Sequence, residues 1–266
     1  MKIGIIGCGN MGSALLRGII ARGYVKRANI LISDKDRKKL TSLRARFKVS
    51  AASSNSQLIE KCNVIILAVK PQDAGAALQD VALPLKGKLL ISICAGITTR
   101  KLQQQLGKVA VVRVMPNMPA LISMGISALS GGKYATSRDK KIAASIFSCV
   151  GEVVEIKEGL MDAATAISGS GPAYFFYLAQ KMIEKAGKLG IPKALAHELV
   201  VKTALGSVLL MDQSKVTPEF LRERVTSRGG TTEAAFNVFK KAGLDKTLER
   251  AFEAAAKRAR ELEGEK

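Results

Sequence analysis

Three glycines near the N terminus constrain the fold of this chain more than any other feature. They stand in Gly7-Cys8-Gly9-Asn10-Met11-Gly12, between the strand-like segment Lys2–Gly7 and the helical pattern Met11–Arg22. In a strand–turn–helix unit, the first such glycine permits the tight turn, the second lets backbone approach a pyrophosphate, and the third lets helix pack closely on sheet. N–H groups at the start of the helix attract phosphates. The motif therefore predicts a dinucleotide-binding site.

Short apolar segments alternate with helical patterns through the first half of the chain. The further strand-like segments are Asn29–Ser33, Asn63–Val69, Lys88–Cys94, Val109–Val114, Gly125–Ser130 and Glu152–Ile156. Such alternation implies βαβ units and a parallel sheet. The unbroken apolar run from Val64 to Val69 is typical of a parallel strand that is buried on both faces. We predict a Rossmann-type, doubly wound, mainly parallel α/β domain over residues 1–158.

Strand signals stop after about residue 158, and helical patterns continue to the end. The predicted helices are Gly159–Ile167, Pro172–Leu189, Lys193–Met211, Pro218–Val225, Thr231–Ala242 and Leu244–Leu262. Pro172 and Pro218 suit a first helical turn, and Gly190 and Gly243 suit helix ends. The apolar faces of these helices are wide for a small domain. We therefore predict an all-α domain over residues 159–266 that buries part of its surface against another subunit.

Composition excludes several classes of protein. With 47% hydrophobic residues in 266, the chain is too apolar for a disordered protein. Its longest unbroken apolar runs are far shorter than the ~18 residues of a membrane span. Nothing at the N terminus has the pattern of a secretory signal, because Lys2 leads directly into the first strand-like segment. We expect a globular cytoplasmic protein with no membrane partner.

Cysteine, histidine and charge patterns narrow the chemistry further. The cysteines are widely separated with no Cys-X-X-Cys pair, and His197 is the single histidine, so zinc, a disulfide framework and a histidine-based triad are disfavoured. The net charge of +20 alone would suit a nucleic-acid-binding protein. The basic residues are scattered, however, and aromatic residues for base stacking make up only 5%. We expect no bound metal and no nucleic-acid partner.

The end of the second strand-like segment bears on the choice of dinucleotide. An acidic residue at this point, here Asp34, usually binds the adenosine ribose hydroxyls and favours NAD. The neighbouring Lys35, Arg37 and Lys38 suit a 2′-phosphate and favour NADP. Because the local charge is strongly positive, we predict NADP(H) and expect NADH to work as well.

Longer motifs carry a resemblance to a known family across essentially the whole chain. They are Ala68-Val69-Lys70-Pro71-Gln72, Ser92-Ile93-Cys94-Ala95-Gly96-Ile97-Thr98, Arg113-Val114-Met115-Pro116-Asn117-Met118-Pro119, Ser168-Gly169-Ser170-Gly171-Pro172-Ala173-Tyr174 and Val225-Thr226-Ser227-Arg228-Gly229-Gly230-Thr231-Thr232. In their order and spacing these motifs resemble Δ1-pyrroline-5-carboxylate reductase, the last enzyme of proline biosynthesis. The family usually has proline where this chain has Arg228, which loosens the entry to that loop and adds a cation.

The resemblance implies a role for each motif. Asn55 would lie by the adenosine ribose, Ala68 to Pro71 would line the central part of the cofactor, and Cys94, Ala95 and Gly96 would border the nicotinamide. Gly229, Gly230, Thr231 and Thr232 would hold the substrate, with Glu158 and the Ser168–Gly171 turn nearby. The helical domain would bind substrate and form a homodimer, assembled into a larger ring such as a decamer.

Elementary chemistry is consistent with these implied roles. The substrate is a cyclic imine with a carboxylate, and a Gly-Gly-Thr-Thr segment that opens a helix offers N–H groups to that anion. An imine nitrogen is partly protonated near neutral pH, so the reduction needs no strong acid. The resemblance implies that the Thr232 hydroxyl would bond to or protonate the ring nitrogen. The alternatives are a reductase of another cyclic imine or of a 3-hydroxyacid, and a non-catalytic dinucleotide-binding or basic nucleic-acid-binding protein.

Overall fold

A computed structural model describes residues 1–79 and 85–264 of the chain. Residue contacts divide it into two compact units, which we call unit 1 (Met1–Ser170 with Ala255–Lys266) and unit 2 (Gly171–Ala254). The two predicted domains, 1–158 and 159–266, contain residues 80–84, 265 and 266, which lie outside the described part of the chain. Each unit is described separately below.

Unit 1 is built on one sheet, which has eight strands in the described ranges. The strands are β1 (Ile3–Ile6), β2 (Ile30–Ser33), β3 (Ser50–Ala51), β4 (Val64–Leu67), β5 (Leu89–Ser92), β6 (Ala110–Pro116), β7 (Gly125–Gly131) and β8 (Gly151–Glu155). Their order is β3-β2-β1-β4-β5-β6-β7-β8. All neighbouring pairs are parallel except β6 and β7. The predicted mainly parallel, doubly wound sheet is therefore confirmed.

Helices cover both faces of this sheet, as the unbroken apolar strands require. The helices of unit 1 that precede residue 158 are α1 (Asn10–Ala21), α2 (Arg37–Phe47), α3 (Asn55–Lys61), α4 (Pro71–Gln79), α5 (Thr99–Leu106) and α6 (Ser137–Phe147). Alternate residues of each strand point to opposite faces. Ile3 and Ile5 thus join a core with α1, α2 and α6, whereas Ile6 joins a second core with α3, α4 and α5.

The segment predicted as one helix over 159–167 contains three kinds of helical turn. A 3₁₀ turn at Glu158–Leu160 leads into the short helix α7 (Met161–Ala164), and a π-helical turn follows at Thr165–Gly169. The wider π turn is closed by the Ser170 N–H, which donates to the Thr165 carbonyl oxygen at 2.8 Å. Apolar periodicity alone does not distinguish such turns from a regular α-helix, which is why the prediction was too simple.

The helices that remain are α8 (Gly171–Lys188), α9 (Lys193–Ser214), α10 (Pro218–Arg224), α11 (Thr231–Lys241) and α12 (Leu244–Gly264), close to the predicted bounds. Their apolar side chains stay largely exposed within one chain, among them Phe176, Leu205 and Leu209. Among the described residues, α9 alone is long and apolar enough to cross a membrane, with 11% of its most apolar stretch buried. The sequence analysis did not single out α9 as a long apolar segment, because scattered polar residues interrupt its apolar run.

Candidate active site

A cleft lies at the carboxyl ends of β1 and β4, where the strand order reverses direction. In open α/β sheets this switch point is where ligands bind. The cleft has a volume of about 490 Å³. It brings together many residues predicted to bind the cofactor, namely Gly7, Gly9, Asp34, Lys35, Asn55, Ala68, Val69 and Lys70. Cys8 and Asn10 line an adjoining cavity of about 320 Å³.

The geometry of the glycine-rich loop fits a bound dinucleotide. Gly7 has φ +93°, and a Cβ there would lie 2.6 Å from the Ala68 carbonyl oxygen. A Cβ on Gly12 would lie 2.0 Å from the Gly7 carbonyl oxygen, so helix α1 can start this close to β1 only with glycine. At Gly9, by contrast, a Cβ would meet no atom within 4 Å. Open space therefore lies over the glycine that the motif reserves for close approach of a phosphate.

Asn55 is held in the cleft by hydrogen bonds to its amide group. The Ser33 hydroxyl donates to Asn55 Oδ1 at 2.7 Å, and Asn55 Nδ2 donates to the Ala77 carbonyl oxygen at 3.0 Å. This residue opens α3 beside the end of β2. These two hydrogen bonds fix the side chain of Asn55, which lines the cleft. Its contact with the ribose stays a prediction.

The loop after β5 is anchored by a buried thiol. Cys94 Sγ lies 3.4 Å from the Val69 carbonyl oxygen, which connects this loop to the one after β4. Burial raises the pKa of the Cys94 thiol to about 11, so it stays protonated at neutral pH and has a packing role. Gly96 has φ +70°, and a Cβ there would lie 2.6 Å from Leu262 Cβ on α12. Predicted cofactor residues Cys94 to Gly96 thus form a tightly packed turn.

A buried ion cluster holds the start of α5, where the loop that follows β5 ends. Arg113 on β6 is only 3% exposed. Its guanidinium lies 3.8 Å from the Glu158 carboxylate and 3.6 Å from that of Asp162. The two Glu158 oxygens also accept from the Thr99 N–H at 2.7 Å and the Thr99 hydroxyl at 2.6 Å. Glu158, a predicted substrate residue, therefore ties the start of α5 to β6.

Sequence reasoning missed three members of this cluster, Thr99, Arg113 and Asp162. A signal was present, since Arg113 interrupts an otherwise apolar buried strand in Val111-Val112-Arg113-Val114. A buried cation requires a carboxylate partner. Finding which carboxylates supply it required the tertiary structure.

Two of the longer sequence motifs meet near the end of β6. Asn117 Nδ2 is 3.5 Å from Ser168 Oγ, and its Oδ1 accepts from the Ile126 N–H at 2.9 Å. Gly169 lies against Met115, 3.1 Å from Cε to a Cβ built on the glycine. The contact involves the π-helical turn, and such turns are frequent at functional sites.

The Gly-Gly-Thr-Thr segment of unit 2 forms a sharp turn before α11. Gly229 has φ +72°, and Gly230 is the residue that precedes the helix. A Cβ on Gly230 would lie 2.4 Å from Ser227 Oγ, a hydroxyl that can rotate away, and 3.0 Å from the Ser227 carbonyl oxygen. The Gly229 N–H donates to Glu233 Oε2 at 2.6 Å. Thr231 is exposed and Thr232 partly exposed, as expected of residues available to a ligand.

Arg228 and His197 are both exposed in the single chain. Within residues 1–79 and 85–264, no cluster of three or more His, Cys, Asp and Glu side chains is placed to hold a metal ion.

Comparison with known proteins identifies the family. Residues 158–262 match the model for pyrroline-5-carboxylate reductase dimerisation, and residues 2–96 match that for NADP oxidoreductase, coenzyme F420-dependent. The chain is 39% identical to the pyrroline-5-carboxylate reductase of Pseudomonas aeruginosa over 264 residues, covering 98% of this chain and 96% of that protein. It is 37% identical to pyrroline-5-carboxylate reductase 1 of Bacillus subtilis over 265 residues, 98% of this chain and 89% of that protein. The chain belongs to the pyrroline-5-carboxylate reductase family.

A solved structure of the pyrroline-5-carboxylate reductase family agrees with this membership. The Plasmodium falciparum pyrroline carboxylate reductase with NADP bound is 34% identical, with a TM-score of 0.88 over 99% of this chain and 98% of that chain. The resemblance inferred from the motifs is confirmed, as is the fold class of a Rossmann-type domain followed by a mostly helical dimerisation domain. The individual site residues stay predictions.

Proposed function

We propose that this protein is a pyrroline-5-carboxylate reductase, which reduces the cyclic imine Δ1-pyrroline-5-carboxylate to L-proline with NADPH. The observation that carries the proposal is a cleft lined by the glycine-rich loop at the switch point of the sheet. The chain is also related to named pyrroline-5-carboxylate reductases over nearly its full length. The relative of known structure was solved with NADP, which supports NADP(H) as the cofactor. NADH is expected to serve as well.

When bound, NADPH supplies a hydride for the imine carbon of the substrate. The residues of the chain then have to orient the reactants and exclude water. Gly7 to Gly12 would hold the pyrophosphate, Asp34, Lys35 and Asn55 would lie by the adenosine, and residues 68–71 would line the middle of the cofactor. Cys94 to Gly96, held by the contact of Cys94 Sγ with the Val69 carbonyl oxygen, would border the nicotinamide. Most of the catalytic effect would come from this positioning.

The substrate would be held by the turn that precedes α11. Thr231 and Thr232 open a helix, and their N–H groups suit the carboxylate of the imine. The Thr232 hydroxyl would donate to the ring nitrogen as that nitrogen gains electrons. Glu158, also predicted to lie near the substrate, has both oxygens bonded to Thr99 and would contribute through that contact.

The proposal includes a homodimer made by the domain 159–266, with several dimers in a ring such as a decamer, in the cytoplasm. The family model for dimerisation covers residues 158–262, which supports this assignment and a functional division near residue 158. The apolar helix α9, mostly exposed in one chain, is the surface that a second copy would cover. A membrane is the competing occupant of that surface, and the mass of the purified protein in detergent-free buffer distinguishes the two.

The deciding experiment adds Δ1-pyrroline-5-carboxylate to the purified protein and follows the absorbance of NADPH, then of NADH. Rapid substrate-dependent oxidation with formation of proline is expected, faster with NADPH. If both cofactors bind without turnover, the substrate assignment is wrong, and other cyclic imines and 3-oxoacids are tested next. Tight salt-dependent binding of DNA without turnover would instead favour the nucleic-acid-binding alternative.

Thr232 provides the test of the mechanism. Replacing Thr232→Ala removes the hydroxyl and should lower kcat by about 100-fold, the usual scale for one lost transition-state hydrogen bond. Thr232→Ser keeps the hydroxyl and is the matched control, with kcat expected near that of the original protein. Equal kcat values for the two variants would exclude Thr232 from the chemistry.

A further inference from the structure

The carboxylate at the position that usually binds the ribose in NAD-binding proteins accepts two backbone hydrogen bonds in this chain. Asp34 follows β2, at the position where an acidic residue normally binds the ribose hydroxyls. Its Oδ2 accepts from the Cys8 N–H at 2.6 Å, and its Oδ1 accepts from the Asp36 N–H at 2.9 Å. The side chain is only 10% exposed. Asp34 therefore joins the glycine-rich loop to the turn before α2.

The basic residues around Asp34 differ in where their charges lie. Lys35 is 83% exposed and pairs with Asp73 at 3.2 Å, on the α4 side of the cleft. Arg37 donates to the Ser53 carbonyl oxygen at 3.2 Å. Lys38 is exposed and lines neither cavity. Of these three residues only Lys35 lines the cleft, and its ammonium pairs there with Asp73 rather than with Asp34.

Lys39 is placed differently from its neighbours. Its side chain lines both the 490 Å³ cleft and the 320 Å³ cavity that adjoins the glycine-rich loop. Its Nζ lies 3.8 Å from Asp34 Oδ2, a loose contact on a side chain that is 41% exposed. A loose, partly exposed ion pair is weak. The Lys39 ammonium can therefore leave Asp34 and bind a more highly charged anion in either cavity, while Asp34 keeps its hydrogen bond to the loop.

We propose that Lys39 selects NADPH over NADH by binding the 2′-phosphate, and that Asp34 is a positioning residue for the glycine-rich loop. The proposal rests on the NADP(H) dependence given under the proposed function. Lys39 has two effects on the choice of cofactor. It supplies a cation to the phosphate, and it offsets the negative charge of Asp34, which would otherwise repel that phosphate.

The test measures the Kd of NADPH and of NADH for the full chain without substrate, from the fluorescence of the reduced cofactor. In Lys39→Ala, NADPH binding should weaken by about 10- to 50-fold, the scale of one charge-assisted contact, and NADH binding by less than about 3-fold. The fragments 2′,5′-ADP and 5′-AMP, used as competitors, should show the same contrast. Arg44→Ala removes a charge from the same helix α2 outside both cavities and is the matched control, with both Kd values unchanged.

A second variant separates the role of Asp34 from that of Lys39. Asp34→Asn should weaken NADPH and NADH by a similar factor, because it disturbs the loop that both cofactors need. If Asp34→Asn weakened the binding of NADH alone, Asp34 would be the residue that binds the ribose. If Lys35→Ala lost the preference for NADPH and Lys39→Ala kept it, the 2′-phosphate would be assigned to Lys35. Either result overturns the proposal.

The Kd measurement is independent of the reaction catalysed. Selective NADPH binding without imine reduction would contradict the proposed function and leave the role of Lys39 supported. Equal Kd values for the two cofactors in the original protein would contradict the proposed selection even if the imine is reduced.

Discussion

Unit 1 and unit 2 meet the same requirement, burial of apolar surface, in different ways. In unit 1 the central strands are fully buried between two layers of helices. In unit 2, over Gly171–Ala254, the buried residues are Gly171, Ala196 and Val200, while large apolar side chains along α8 and α9 stay exposed. A helix that is apolar on all sides is stable only when it is surrounded. Unit 1 thus buries its apolar side chains within one chain, whereas unit 2 leaves exposed the apolar surface that the proposed dimer would cover.

The largest effect is expected from a charge placed on α9. Leu205 is 49% exposed in one chain. In an isolated protomer Leu205→Lys would change stability by no more than about 0.5 kcal/mol. If a second copy buries Leu205, the unpaired ammonium should cost about 4 kcal/mol or more, with loss of the dimer and of soluble protein. Size-exclusion chromatography with light scattering and the yield of soluble protein measure the effect.

Leu205→Met keeps an apolar side chain at the same position and should leave the mass and the yield unchanged. An intact dimer in Leu205→Lys would show that this face of α9 is not covered, and would remove the main contrast between the two units.

The next largest effect is expected in the core of unit 1. Arg113→Met leaves the carboxylates of Glu158 and Asp162 without their buried cation. Breaking a buried ion pair in this way should lower the free energy of unfolding by about 3–5 kcal/mol. Denaturation by urea measures it.

Lys140→Met is the control for Arg113→Met, since it breaks the more exposed pair with Glu155 and should cost no more than about 1 kcal/mol. Equal losses in the two variants would mean that the cluster around Arg113 adds nothing beyond a surface ion pair.

A smaller effect is expected at the glycines of the cofactor loop. Gly12→Ala forces a Cβ to within 2.0 Å of the Gly7 carbonyl oxygen and should lower the free energy of unfolding by about 1–3 kcal/mol through overpacking. Gly9→Ala meets no atom within 4 Å, but Gly9 is the N-cap of α1, where alanine is less favourable than glycine, so the free energy of unfolding should fall by up to about 1 kcal/mol. NADPH affinity should also fall, because the ligand needs the space over Gly9. Thermal unfolding and the Kd of NADPH test the two effects.

Gly75→Ala on α4 is the matched control, because a Cβ there also meets no atom within 4 Å and the residue lies inside a helix. It should stabilise the protein by up to about 1 kcal/mol and leave the Kd of NADPH unchanged. A Gly9→Ala variant that binds NADPH as tightly as the Gly75→Ala variant would contradict the proposed position of the pyrophosphate.

The smallest effect concerns the cysteines, all of which lie in unit 1 and are buried. Burial raises the pKa of Cys8 to about 12 and that of Cys62 to about 11, from 9.0. Well below pH 9 these thiols are protonated in both the folded and the unfolded chain, so their contribution to stability is fully present. As pH rises above 9, the unfolded chain loses protons that the folded chain retains, and stability falls, by about 0.4 kcal/mol per thiol at pH 9 itself.

Urea denaturation at pH 7.5, 9 and 10, compared between the original protein and Cys62→Ala, measures this loss. The variant should lose less stability with rising pH. Labelling by a thiol reagent at pH 8 should be far slower in the folded protein than in the unfolded one; rapid labelling would show that the core of unit 1 opens readily.

Local sequence patterns were sufficient for the architecture and for part of the site. Predicted strand bounds differ from the observed ones by at most a few residues, as for Asn29–Ser33 against Ile30–Ser33. A strand of two residues, β3, has too few residues to show a pattern, and the sequence reading missed it. The cofactor cleft could be located because its glycines are needed for local turn geometry, and because parallel strands bring their carboxyl ends together.

Sequence patterns were enough for the fold class, the glycine-rich loop and the family, since strand and helix periodicity, turn residues and motif order are properties of neighbouring residues. Three contacts became known only from the folded chain: Asp34 bonds to the glycine-rich loop, Lys39 lines both cavities, and Arg113 meets Glu158 and Asp162. A sequence pattern does not show which of the adjacent charged residues at 34–39 is buried and which is exposed. Their partners come from elements distant in the chain, and the packing of those elements selects which charge is buried and which is free to bind a ligand.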